Sequence, residues 1–233
     1  MYTIDEIVTT SRVDERGKLK FFAAMQMMQD CSELWQGSEP TWNKFFRENH
    51  RAQLLASRQV EIYRVPDYGE KLSISTWVYS CRATFGLRST AIRDEKGEIC
   101  YASDSMGAFI SLDTAQLKKL PQEVLDSVTF EEKLPMVEKS RKILVPEGDV
   151  TLLDPYRVKR SDIDYNHHMN NSHYVRLAME ALPADFEPKG LRVEHKIPMR
   201  LDEELQIKLT TVPDAYYLTF LCERGISAVM EFT

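Results

Sequence analysis

Residues 59–74 read Gln59-Val60-Glu61-Ile62-Tyr63-Arg64-Val65-Pro66-Asp67-Tyr68-Gly69-Glu70-Lys71-Leu72-Ser73-Ile74, and residues 192–207 echo them as Arg192-Val193-Glu194-His195-Lys196-Ile197-Pro198-Met199-Arg200-Leu201-Asp202-Glu203-Glu204-Leu205-Gln206-Ile207. Val60, Glu61, Glu70, Leu72 and Ile74 recur as Val193, Glu194, Glu203, Leu205 and Ile207 at a constant offset of 133, five identities in fifteen positions. In the first copy a β-rich run, the turn-forming Pro66-Asp67-Tyr68-Gly69-Glu70 and a second β-rich run follow one another, the pattern of two antiparallel strands.

The flanks repeat the same order of elements, which is how an internal repeat is recognised. Upstream, residues 3–12 read as a strand and 21–35 as a helix, with Ala24, Met28, Cys31 and Trp35 forming one apolar stripe. Strands are expected at 57–65, 72–79, 85–93 and 99–111, with Asp94-Glu95-Lys96-Gly97 as a hairpin turn. A charged, proline-bearing stretch follows, and the order begins again: strand 151–160, helix 171–182 with Tyr174, Leu177, Ala178 and Ala181 on one face, then strands at 191–197, 205–211, 216–223 and 227–232. The expected architecture is α+β: two units at 1–130 and 149–233, joined by a linker at 131–148, each an antiparallel sheet wrapped on a central helix.

Composition bounds the function. The chain has 233 residues, 43% hydrophobic and 28% charged, enough apolar content for a real core. Its net charge of −6 argues against nucleic acid as the main partner, since phosphate binding needs a positive field. The opening Met1-Tyr2-Thr3-Ile4-Asp5-Glu6 has neither the basic start nor the apolar run of a secretory signal. No stretch approaches the roughly 18 apolar residues of a membrane span, so the cytosol is the expected compartment. Cys31, Cys81, Cys100 and Cys222 are far apart and form no C-x-x-C pair, so they read as reduced core thiols.

The chemistry concentrates in Asp162-Ile163-Asp164-Tyr165-Asn166-His167-His168-Met169-Asn170-Asn171, just before the second helix. The stretch before the first helix, Arg16-Gly17-Lys18-Leu19-Lys20-Phe21-Phe22, has no Asn, His or Asp. Three readings compete. Asn170 or Asn171 caps the helix, with Asp162 and Asp164 at its positive end. Asp162, Asp164, His167 and His168 hold a metal. Or Asp164, Asn166 and His168, at i, i+2 and i+4, project to one face of an extended segment. They then share an acyl-hydrolysing site with the helix amides at Met169 to Asn171, which could hold an oxyanion.

The run Ser161-Asp162-Ile163-Asp164-Tyr165-Asn166-His167-His168-Met169-Asn170-Asn171-Ser172-His173-Tyr174-Val175 resembles the D-x-N-x-H-x-N-N-x-x-Y signature of acyl-acyl-carrier-protein (acyl-ACP) thioesterases. Arg64 to Glu70 with Thr76-Trp77, and Ser105-Met106-Gly107 to Asp113, resemble the same family's first half. The resemblance implies a tandem hotdog fold of the bacterial type, no cofactor or metal, and hydrolysis of fatty acyl-ACP to free fatty acid. Carried over residue by residue, it implies that Asp164 orients or activates, that Asn166 positions water or carbonyl, and that His168 moves the proton, with His167 as its register rival.

Asn170, Asn171 and Tyr174 are then candidate substrate contacts, and Glu180 has a family counterpart on the helix. Plant members carry a Glu-Cys pair where this chain has Pro198-Met199, which implies direct attack by water rather than a cysteine acyl-enzyme. Met25, Met27, Met28 and Trp35 are either an acyl-chain tunnel in the first unit or its core. The implied partner is an acyl-carrier protein with a phosphopantetheine-linked chain, an acidic protein for which Arg157, Lys159 and Arg160 offer a local basic approach. A monomer and a homodimer both fit. The alternatives are a coenzyme A thioesterase of the same superfamily and a non-catalytic acyl-binding protein.

Overall fold

The computed structural model describes residues 1–233. The chain divides into two compact units, Met1–Ala56 with Val60–Val137, and Ser57–Gln59 with Glu138–Thr233.

In the first unit β1 (Tyr2–Ile7) leads through a short 3-10 turn at Thr10–Arg12 to α1 (Phe21–Ser38) and α2 (Pro40–Glu48). Then come β2 (Arg51–Ile62), β3 (Lys71–Arg82), β4 (Phe85–Asp94), β5 (Ile99–Ser111) and the short α3 (Gln122–Asp126). Within this unit the sheet order is β1-β3-β4-β5-β2, with β1 on β3, β3 on β4 and β4 on β5 all antiparallel. The stripe expected on α1 faces inward: Ala24, Met28, Cys31 and Trp35 are all buried. Met25 and Met27 are buried as well, so all four candidate tunnel residues lie in packed surroundings.

Three expectations need correction here. The strand at 3–12 stops at Ile7, because Thr10–Arg12 coils into a 3-10 turn closed by Arg12 N–H donating to Thr9 O at 2.9 Å. Helix α2 was not expected. It carries only two buried residues, Trp42 and Phe46, whose rings stack at 4.7 Å, and it starts two residues after α1, so its short period hides in the pattern of its neighbour. Strand β2 starts at Arg51 rather than 57, where half-buried residues give no alternation to read.

The second unit comprises β6 (Asp149–Leu152), β7 (Tyr156–Arg157), a 3-10 turn at Arg160–Asp162, α4 (Asn171–Ala181), β8 (Gly190–His195), β9 (Glu204–Val212), β10 (Ala215–Cys222) and β11 (Gly225–Phe232). Its sheet runs β8-β11-β10-β9-β6, with β7 also on β9. The expected strand at 151–160 is therefore two pieces. Pro155 has no N–H to give to a ladder and separates them.

The α4 face expected from the sequence packs inward through Tyr174, Leu177 and Ala178, with Ala181 half-buried. The Tyr174 ring meets His195 of β8 and Phe220 of β10 edge-on at 5.5 and 5.2 Å. Each unit is thus an antiparallel sheet served by one principal helix, the α+β hotdog arrangement.

The stretch expected as a linker has no regular element but is tied down. Trp77 Nε1 donates to Glu132 O at 2.7 Å, and the Leu134 and Val137 amides donate to Ser89 Oγ and Glu61 Oε1 at 3.1 and 3.0 Å. Further on, Arg192 donates to Ser140 O at 2.6 Å and Lys142 O at 3.2 Å, and Ile143 is buried. The division between units falls after Val137, inside this stretch.

Candidate active site

Residues Asp164 to His168 form a tight turn rather than an extended run. The Asp164 amide donates to His168 O at 3.0 Å, the His167 amide to Asp164 O at 3.0 Å, and the Asn166 amide to Asp164 Oδ1 at 2.8 Å, while Ile163 and Met169 bridge its base. Closing so short a loop puts His167 in the left-handed region, at φ +60°. Period-2 alternation therefore does not apply, and a common face for Asp164, Asn166 and His168 does not follow from their spacing. Asn166 and His167 are exposed, whereas Asp164 and His168 are half-buried. The Asp164 carboxylate serves its own turn, the usual behaviour of an Asp two residues before a free amide.

The turn feeds directly into α4. Asn170 is the helix cap: its Oδ1 accepts from Ser172 N at 2.9 Å and Ser172 Oγ at 2.7 Å. Of the three amides considered for an oxyanion, Met169 N–H donates to Met199 O at 2.7 Å and Asn170 N–H to Asp162 O at 2.8 Å. Only the Asn171 amide is left without a bond, so two of the three are already spent. Tyr174 is buried with its hydroxyl 2.7 Å from Ser227 Oγ, and Ser227 in turn donates to Ile197 O at 2.7 Å. Since the serine proton is used on Ile197, the tyrosine is the donor of the pair; Tyr174 ties α4 to Ser227 of β11, which in turn holds the β8–β9 loop at Ile197. Glu180 is exposed near the C-terminal end of α4.

The Met169–Met199 bond puts the Pro198-Met199 segment against the base of the turn, and Arg224 Nη2 reaches Pro198 O at 2.9 Å. No side chain there can act as base or nucleophile. Burial pushes the Cys31 and Cys81 thiols up to about 11, which makes these two poor nucleophiles, and all four cysteines are free.

Electrostatics favour a neutral imidazole. Burial lowers the pKa of His168 below the ordinary histidine value, and the Arg200 guanidinium lowers it further, partly opposed by Asp164. At neutral pH the ring can accept a proton.

Sequence reasoning missed a network immediately behind the turn. Asp162 is 1% exposed, and its carboxylate takes four donors: Tyr156 OH at 2.6 Å and Lys159 N at 2.8 Å on Oδ2, His173 Nδ1 at 2.9 Å and Arg176 Nη2 at 3.0 Å on Oδ1. Burial alone raises the Asp162 pKa, but the bonds from Tyr156, Lys159 and His173 outweigh it and leave the group below the usual carboxylate value. The available signal was the i, i+3 spacing of His173 and Arg176, which puts both on one helix face beside the motif. Both oxygens of Asp162 are spent on protein donors, which leaves little of the metal reading for this residue.

The acyl-ACP thioesterase N-terminal domain model matches residues 2–128, and the C-terminal domain model matches residues 147–227. A chloroplastic acyl-[acyl-carrier-protein] hydrolase of Cuphea viscosissima is 28% identical over 163 residues, covering 66% of this chain and 39% of its own length. A chloroplastic palmitoyl-acyl carrier protein thioesterase of Gossypium hirsutum is 30% identical over 173 residues, covering 70% and 41%. The chain thus spans about two fifths of these relatives. Among solved structures, an acyl-ACP thioesterase from Bacteroides thetaiotaomicron superposes with a TM-score of 0.88 at 19% identity, covering 99% of this chain and 96% of the other. A 12:0-ACP thioesterase from Umbellularia californica gives 0.85 at 17%, covering 99% and 95%.

Proposed function

Because this chain belongs to the acyl-ACP thioesterase family, we propose that it hydrolyses the thioester between a fatty acyl chain and the phosphopantetheine arm of acyl-carrier protein, releasing free fatty acid. The observation that carries this reading is the tight turn that presents Asn166 and a half-buried, neutral-leaning His168 at the N-terminus of α4.

In this mechanism His168 takes a proton from water as the water oxygen bonds to the thioester carbonyl carbon. The Asn166 side-chain amide orients the water or the carbonyl. The Asn171 amide, unbonded and at the positive end of α4, supports the negative oxygen of the tetrahedral intermediate. Collapse breaks the carbon–sulfur bond, and the proton on His168 goes to the departing phosphopantetheine sulfur. Asp164 holds the turn. No residue at Pro198-Met199 forms a covalent intermediate, so one water attack completes the reaction.

Arg157, Lys159 and Arg160 are the approach for the acidic carrier. All three are exposed, Arg157 donating to Asp202 O at 3.4 Å and Lys159 lying over the Tyr156 ring. Four free thiols and no disulfide suit a reducing compartment such as the cytosol. No helix is long and apolar enough to cross a membrane.

Fatty-acid release from a panel of acyl-ACPs tests the reading. His168→Ala is expected to lower kcat by about 10²- to 10⁴-fold, the usual worth of a general base. Turnover within threefold of the parent protein refutes the assignment.

A further inference from the structure

The buried carboxylate of Asp162 has no part in the chemistry above, yet more of the site's structure converges on it than on any other side chain. It is reached from three directions. Tyr156 comes from β7, the Lys159 amide from the 3-10 turn, and His173 with Arg176 from the first and second turns of α4. Its own backbone carbonyl accepts from Asn170, the cap of α4, at 2.8 Å. Between that carbonyl and α4 the chain makes the five-residue turn with Asn166 and His168, so Asp162, just before the turn, holds the helix just after it: through its main chain at Asn170 and through its side chain at His173 and Arg176. Arg176 also donates to Tyr156 OH at 3.1 Å, which closes the ring of contacts.

The first unit supplies the control. Its equivalent turn, Asp14 to Lys18, has no candidate chemistry, and the equivalent of Asp162 there, 150 residues earlier, is Arg12. Arg12 makes a single half-exposed ion pair with Glu6 at 2.9 Å, and α1 carries Ala23 and Gln26 where α4 carries His173 and Arg176. The main-chain contact recurs, Lys20 N–H donating to Arg12 O at 2.8 Å, but the side-chain anchor is present only beside the turn that carries a histidine and an asparagine.

We infer that Asp162 is a positioning residue for hydrolysis: through Tyr156, His173 and Arg176 it fixes the turn that holds Asn166 and His168 against the N-terminus of α4. Reacting groups must be held to a fraction of an ångström, and a misplacement of about 1 Å can cost about 100-fold in rate. A carboxylate bound by four donors inside the protein, where the bonds are strong and water cannot compete, supplies that rigidity.

This inference rests on the assignment of His168, and the test separates the two. Asp162→Asn keeps size and removes charge. Expected is a fall in kcat of about 10- to 100-fold with KM for acyl-ACP within about twofold, because the substrate's contacts are untouched. In a His168→Ala background the same change lowers the residual turnover by less than about threefold, since His168 is gone and only Asn166 is left to position. A purely structural role lowers activity by the same factor in both backgrounds, and that result overturns the inference.

If Asp162→Asn does not fold, His173→Gln and Arg176→Gln, each removing one donor, are expected to lower kcat three- to tenfold at unchanged KM. Parent-level kcat in both, with the protein folded, overturns the inference. Should His168→Ala itself retain turnover, it is the proposed chemistry that fails.

Discussion

The turn at Asp14 to Lys18 and the turn at Asp164 to His168 are one structure with two contents. In the first, Asp14 N–H donates to Lys18 O at 2.8 Å and Gly17 N–H to Asp14 O at 3.0 Å; in the second, Asp164 and His167 make the same pair of bonds at 3.0 Å each. Asp14 Oδ1 accepts from Arg16 N at 2.9 Å, as Asp164 Oδ1 does from Asn166 N at 2.8 Å. The bases bridge alike, Val13 to Leu19 and Ile163 to Met169. The fourth residue is left-handed in both, Gly17 at +76° and His167 at +60°. Beneath them, Leu19 N–H reaches Pro66 O at 2.8 Å and Met169 N–H reaches Met199 O at 2.7 Å.

What differs is the cargo: Arg16 and Lys18 in one turn, Asn166 and His168 in the other. The comparison divides the motif. Asp164 builds the turn, as Asp14 does in a half with no candidate chemistry. In the proposed mechanism Asn166 and His168 carry the reaction.

The sharpest way to break this division is to substitute Asp164 twice. Asn keeps the side-chain oxygen that accepts from residue 166, whereas Ala removes it. Asp164→Asn is expected to stay within about fivefold of the parent turnover, and Asp164→Ala to lose at least tenfold, as the turn loosens and displaces His168. The matched change in the first unit, Asp14→Ala, removes the acceptor of the Arg16 and Lys18 amides, together worth about 1–2 kcal/mol, and should lower Tm by about 2–8 °C with turnover unchanged. If Asp164→Asn is as inactive as Asp164→Ala, the carboxylate charge takes part in catalysis and the division is drawn in the wrong place.

A smaller effect settles the register of the two histidines. His167 sits where the first unit has glycine, and a side chain in the left-handed region costs about 1 kcal/mol. His167→Gly restores the residue that this conformation favours. Turnover should remain within twofold while Tm stays level or rises. A large loss of turnover at unchanged Tm would make His167 the proton carrier instead.

The repeat was legible in residues 59–74 and 192–207 because some of its identities are hydrogen-bonding requirements. Glu70 Oε1 accepts from Asp67 N at 2.7 Å and Glu203 Oε2 from Arg200 N at 2.8 Å, so each glutamate closes the turn that precedes its strand. The strand–turn–helix part of the repeat lies at a different offset, 150, with Val8, Ser11 and Asp14 recurring as Val158, Ser161 and Asp164. The first unit places a longer helix and all of α2 between β1 and β2, and that insertion hid the second register. The motif was legible as composition but not as geometry, because alternate spacing implies a shared face only in an extended chain. The Asp162 network was hidden for another reason: its partners are 6, 11 and 14 residues away along the chain, and only the fold brings them to one carboxylate.

The smallest expected effect is on pH. The imidazole of His168 is held below its ordinary pKa first by burial and then by the positive charge of Arg200, an exposed residue of the β8–β9 loop. The first unit has Asp67 at the matching place, where it pairs with Lys18 at 2.8 Å, so there the loop attracts the turn's cation. In the second unit the loop repels a cation at the same position of the turn, and that repulsion favours the neutral imidazole.

A base active only when neutral gives a kcat/KM profile that rises with pH through its pKa and is flat above it, and the midpoint here should lie below about 6.5. Arg200→Gln removes a positive neighbour and makes protonation easier, so the midpoint should move upward with little change in the plateau. The backbone amide of residue 200 still donates to Glu203, which leaves the loop intact. A midpoint that moves downward, or a plateau that collapses while the midpoint stays, would mean that Arg200 meets the substrate rather than the histidine.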